Sequence, residues 1–118
     1  MAGAVRYQDK APRIREVLKT WAREGAPRSD KNSYAELGRL VGIPAQGPWK
    51  PVLDLISCEE EAKGLPDITY MVIRKSTGLP GQIGGSPANP PTSAQIATAR
   101  EKLQEVFKRY CPTARVSF

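Results

Sequence analysis

The sequence predicts an α+β fold, mostly helical, and three observations carry that reading. Apolar residues recur at helical spacing in four segments. One short run near the middle alternates as a strand does. Glycine and proline collect in one stretch between that run and the last helical segment. With 118 residues and 12.9 kDa the chain has the size of one domain.

Residues 1–11 read as a loose arm. From Pro12 onward Ile14, Val17, Leu18 and Trp21 form one apolar stripe, at i, i+3, i+4 and i+7. Pro12 suits a first helical turn, where no intrahelical N–H partner is lost. Gly25 and Pro27 end the helix, and Arg13, Arg15, Lys19 and Arg23 lie off the stripe, which predicts a basic solvent side. Residues 26–32 read as a polar loop. Ser33-Tyr34-Ala35-Glu36 then has the form of a capping box: the hydroxyl accepts from the Glu36 N–H, and the carboxylate reaches back to the Ser33 N–H. Tyr34, Leu37 and Val41 share a face of a short second helix that stops at Gly42, and Ile43-Pro44 turns the chain. A third helix is expected to start near Pro48 or Pro51 and run to about Lys63, with Val52, Leu55 and Ile56 on its core face.

Asp67 to Lys75 reads as a strand apolar on both faces, hence covered. Its partner is expected from Gln82 to Ser86 or from an N-terminal segment. Residues 76–91 hold four glycines and four prolines, as a hairpin tip followed by a mobile connection would. Thr92-Ser93-Ala94-Gln95 is a second capping box. It opens a last helix to Tyr110 with Ile96, Ala99, Leu103, Val106, Phe107 and Tyr110 on one side, and Cys111-Pro112 stops it. Three helices followed by a strand and a glycine-rich hairpin is the order of a winged helix: a three-helix helix-turn-helix core with a short β-wing, here with an added C-terminal helix. The expected division is a flexible arm over 1–11, a winged-helix domain over 12–85, a Pro/Gly linker over 86–91, and a C-terminal helix and tail over 92–118.

Composition removes much chemistry. Histidine is absent, which excludes Ser-His and Cys-His nucleophilic mechanisms and imidazole metal sites. Two cysteines, Cys58 and Cys111, make neither a disulfide framework nor a zinc site, and Cys58 reads as a small buried hydrophobe. No catalysis, metal or cofactor is expected. No apolar run of membrane-spanning length exists, and Met1 to Lys10 has no signal-peptide core, so a cytoplasmic protein is expected. The charge is +6 with a pI near 9.6. Residues 1–50 carry ten basic and five acidic side chains, against eight and seven over 51–118. A basic half suits a polyanion, most often nucleic acid, and equally a solvated surface.

The run from Ser33 to Pro44, SYAELGRLVGIP, resembles the S/T-Y-x-x-L-A-x-x-x-G-x-P signature of the O6-alkylguanine-DNA alkyltransferase domain and its non-catalytic alkyltransferase-like relatives. Tyr70-Met71-Val72-Ile73 and Ser76-Thr77-Gly78-Leu79-Pro80-Gly81 stand where that family has its strand and glycine-rich wing, so the resemblance spans about residues 33–85. The segment from Leu65 through Gly81 also resembles a strand-and-turn block in small uncharacterised proteins of phage and mobile elements. The resemblance implies a winged-helix fold and duplex DNA as partner, with Tyr34 matching the tyrosine that presses on the target phosphate. It does not imply alkyl transfer, because Leu65-Pro66-Asp67-Ile68-Thr69 replaces the P-C-H-R active site and no acceptor thiolate is left. Pro48 stands in place of the family's inserted arginine, with Lys50 the nearest cation.

The expected DNA-binding residues are Tyr34, Arg39, Gln46, Trp49, Lys50, Arg74 and Lys75. Arg39, Lys50, Arg74 and Lys75 would clamp phosphates, or else be solvated charges. Trp49 reads as a base-stacking ring or as cover for a helix end. Glu59-Glu60-Glu61 reads as a solvated helix face that opposes DNA at that end. The resulting expectation is a non-catalytic double-stranded-DNA-binding protein, for regulation or recognition of altered duplex. The alternative is a phage- or mobile-element-encoded module that inhibits a host protein through Trp49, Tyr70 or the 76–91 loop. Clustered cations around Tyr34 favour the first, and an exposed apolar patch around Trp49 favours the second.

Overall fold

The computed structural model describes residues 7–25, 32–116 and 118. Residues 1–6 of the expected arm and 26–31 of the expected loop lie outside them. The described residues form four α-helices and a two-stranded antiparallel sheet, a mostly helical α+β architecture.

Helix α1, Ala11–Glu24, buries the expected stripe of Ile14, Val17, Leu18 and Trp21, with Pro12 in its first turn. The arm is structured from Tyr7 onward, contrary to the sequence reading. Tyr7–Lys10 forms a 3-10 turn, and the Tyr7 ring is buried. That ring meets Trp49 edge-on at 5.2 Å, and its hydroxyl donates to the Pro44 carbonyl at 2.8 Å. Helix α2, Tyr34–Val41, starts as expected, with Ser33 Oγ accepting from the Glu36 N–H at 3.2 Å. The Glu36 carboxylate does not complete a capping box; it takes the Arg39 guanidinium at 2.8 and 2.7 Å.

Helix α3, Trp49–Ala62, buries Trp49, Val52, Leu53, Ile56 and Glu60. Val52, Ile56 and Glu60 lie four apart on one line. Leu55 sits one residue, about 100°, off that line and is 40% exposed, not a core residue. Cys58 is exposed as well, against the expectation of a buried hydrophobe. The acidic triplet is not a solvated face either. Glu60 is fully buried, with Lys19 Nζ at 3.1 Å, Arg15 Nε at 3.6 Å and Lys63 Nζ at 3.7 Å, while Glu59 takes the far end of Arg15. Arg15 and Lys19 therefore turn from solvent toward α3. They approach Glu60 as charges at short range; neither carboxylate oxygen has an aligned hydrogen bond.

Asp67 to Lys75 is not one strand. Ile68–Met71 is a 3-10 turn, followed by β1, Ile73–Arg74, paired antiparallel with β2, Leu79–Pro80, so that Ile73 faces Pro80 and Arg74 faces Leu79. The Asp67 carboxylate accepts from the Thr69 N–H at 3.0 Å and from the Thr69 hydroxyl, and this local bonding pulls the backbone out of extended conformation. The segment is covered as expected: Ile68, Thr69, Met71, Val72 and Ile73 are buried. The partner strand comes earlier than 82–86, because the turn at 75–78 closes at once, with the Gly78 N–H on the Arg74 carbonyl at 2.8 Å. Gly81–Ile83 is another 3-10 turn. A single parallel bridge between Ser33 and Ile73 ties the start of α2 to β1.

Ser86 and Asn89 exchange two backbone hydrogen bonds in the connection to α4. Helix α4, Ser93–Tyr110, opens on a complete Thr92/Gln95 capping box. It buries Ala99, Leu103, Val106 and Phe107 against α1 and the Ile68–Met71 turn, in one core with the preceding helices. No helix among the described residues is long and apolar enough to cross a membrane.

Candidate functional site

A groove of about 980 Å³ opens between the N-terminal ends of α2 and α3 on one side and the hairpin with its following turn on the other. Ser33, Tyr34 and Ala35 come from α2 and its cap. Residues 45–50 supply the loop and the start of α3, and Leu53 the next turn. Arg74, Lys75 and Ser76 come from the hairpin, and Gly81, Gln82, Ile83 and Gly84 from the turn after it. Among the described residues the lining holds three cations, Lys50, Arg74 and Lys75, and no carboxylate.

The base of the groove is aromatic. Trp49 lies between two tyrosines, edge-on to Tyr7 at 5.2 Å and tilted against Tyr34 at 5.9 Å. Its indole N–H donates to the Ala45 carbonyl at 2.8 Å, and the residue is buried. Trp49 thus covers the helix end and supports the groove from below. Two close approaches require glycine. A Cβ on Gly47 would fall 1.5 Å from the Tyr7 hydroxyl oxygen, and one on Gly81 would fall 2.1 Å from that of Tyr34. The two glycines let the outer rings press against backbone.

The electrostatics follow from placement. Burial raises the Tyr34 phenol above its ordinary value, while the nearby Arg74 guanidinium draws it partly back. The phenol is therefore a neutral hydrogen-bonding group at the groove wall. Lys50 pairs with Asp54 one turn along α3 at 3.3 Å, with both side chains largely in water. Such an exposed pair is weak, so Lys50 stays available to a stronger anion. Pro48 gives α3 no capping side chain, and Pro51 in its first turn has no N–H to cap. The start of α3 therefore presents its dipole to the groove without a competing side-chain oxygen.

No family model, curated protein or solved structure matches the chain.

Of the seven residues singled out in the sequence, the groove gathers six: Tyr34, Gln46, Trp49, Lys50, Arg74 and Lys75. Arg39 is elsewhere; it is exposed, and its guanidinium is held by Glu36. Sequence reasoning missed Gln82, Leu53 and the glycines at 81 and 84. The sequence does carry a signal for Gln82, a lone amide inside a Gly/Pro run, but the same residue also suits the start of the expected partner strand.

Proposed function

We propose that this chain is a non-catalytic DNA-binding protein of the winged-helix type. In this reading α2 and α3 form the helix-turn-helix, and β1–β2 with its turn is a short wing. One observation carries it: among the described residues, the lining of one groove between the helix starts and the hairpin has three cations and no carboxylate. Phosphates would be neutralised by Lys50, Arg74 and Lys75 and would sit near the positive ends of α2 and α3. The triplet at 59–61 offers less opposition than its charge suggests, because Glu59 and Glu60 are engaged by the cations of α1. Asp67, in the segment that replaces P-C-H-R, is tied up by Ser57 at 2.6 Å and by Thr69, which supports a structural role there and recognition without alkyl transfer. The host-protein alternative has less behind it. Trp49 is buried, and the one large hydrophobic side chain exposed among the described residues, Leu55, does not line the groove.

The test is fluorescence anisotropy with a labelled duplex, plain and carrying an alkylated guanine, titrated across a salt series. Binding should weaken steeply with salt. Lys50→Glu should lower affinity on every sequence, and Arg74→Ala with Lys75→Ala should reduce the salt slope by roughly two. Absence of binding even at low salt would remove the DNA reading. An unchanged slope would remove the hairpin from the interface.

A further inference from the structure

We infer that Gln82 is the residue that reads base identity in the groove, and that it takes the adenine major-groove edge. The inference rests on the DNA-binding reading above and adds to it a residue and a ligand class. A chain of hydrogen bonds runs behind the groove from α3 to the turn after β2. Ser57 Oγ donates to Asp67 Oδ2 at 2.6 Å. The other oxygen, Asp67 Oδ1, accepts from the Thr69 N–H at 3.0 Å and from the Thr69 hydroxyl. Thr69 Oγ1 in turn accepts from Gln82 Nε2 at 2.8 Å.

The direction of this chain follows from its Asp67 end. The Asp67 carboxyl group accepts from all three of its partners, and a threonine hydroxyl has one proton to give. That proton goes to Asp67, so toward Gln82 the hydroxyl can only accept. The amide must then turn its nitrogen to Thr69, whichever way the two amide ends are first assigned. Thr69 is fully buried and Asp67 is 8% exposed, so water does not scramble the order. Gln82 lines the groove, and its Oε1 has no partner among the described residues.

With the N–H anti to Oε1 given to Thr69, the fixed amide of this groove-lining residue would offer one acceptor and one remaining N–H side by side. The complementary edge has a donor beside an acceptor, as adenine does with N6–H and N7. Lys50, Arg74 and Lys75 would position the backbone, and Gln82 would read the base. An amide free to flip would match either polarity and discriminate poorly; Asp67 and Thr69, as positioning residues, remove that freedom.

The experiment is selection from a pool of randomised duplexes, comparing the preference profiles of the unmodified chain, Gln82→Ala and Thr69→Val, with thermal melts run alongside. The unmodified chain should prefer adenine at one position. Gln82→Ala should lower that preference roughly tenfold, leaving the other positions and the salt slope unchanged. Thr69→Val should weaken the same position while Gln82 remains. A Gln82→Ala profile identical to the unmodified one, or a preference for another base at the affected position, overturns the inference and leaves DNA binding intact. Failure of the unmodified chain to bind any duplex overturns both. Should Thr69→Val fail to fold, Gln82→Ala alone decides.

Discussion

Tyr34 illustrates how one side chain links the stability of the molecule to its site. Burial keeps the phenol protonated above its ordinary value of about 10. The unfolded chain, whose phenol is unperturbed, gives up the proton first as pH rises. The stabilisation is therefore complete below the unfolded value and is lost as pH climbs through the folded one. Tyr70 is shifted the same way, by burial and by the Asp67 charge. Tyr34→Phe should flatten part of the alkaline fall in the urea midpoint and leave the Tyr70 part, and an alkaline limb as steep as before would show that burial does not hold the Tyr34 proton. Glu60 makes the opposite kind of contribution, as a buried charge that needs its partners. Glu60→Gln would leave Arg15 and Lys19 facing a neutral amide. We expect a loss of about 3 kcal/mol, at the low end for a broken buried pair because both cations can still reach water. Chemical denaturation measures it, and a loss within experimental error would mean the cluster is solvated.

Among the elements, the helices were legible in the sequence, as were the Thr92 box and the Ser33 half of the other cap, and the sheet was not. Helical spacing repeats over many residues, so the stripe of α1 and that of α4 identify themselves. Thr92 and Gln95 do so through a fixed spacing of three. The third helix shows the limit: Leu55 and Ile56 look alike in a list, and only the phase from Trp49 to Glu60 decides which is buried. Residues 67–75 misled because full burial gives an apolar run the same appearance in a strand and in a 3-10 turn. The Asp67 carboxylate settled the matter locally, by bonding Thr69. Six of the seven residues singled out meet in the groove because chain order already brings helix starts and hairpin together; Arg39 lies outside it, paired with Glu36 on the same helix. Gln82 was hidden because its role depends on Ser57, Asp67 and Thr69, none of them near it in sequence. The caps give a direct test. Thr92→Ala should cost about 1 kcal/mol without changing duplex affinity, since Thr92 lies outside the groove lining. Ser33→Ala should cost a similar amount and lower affinity as well, since Ser33 lines the groove. Equal affinities for the two variants would argue against α2 at the interface.

On the scale of the whole molecule, α4 belongs to the core rather than to an appendage. Leu103, Val106 and Phe107 close the same cluster as Ile14, Leu18, Leu37 and Ile68. A chain ending at residue 91 should lose its near-ultraviolet circular dichroism and its sharp thermal transition, as expected when a core loses one wall. A cooperative melt from that shortened chain would instead establish 12–85 as an independent unit.

The ring arrangement beneath the groove has an optical consequence. Tyr7 and Tyr34 lie 5.2 and 5.9 Å from Trp49, close enough for excitation absorbed by either phenol to reach the indole. With Trp21→Phe the chain would retain Trp49 as its single indole emitter. Its colour and polarisation would then follow the floor of the groove, so occupancy could be timed without any attached dye.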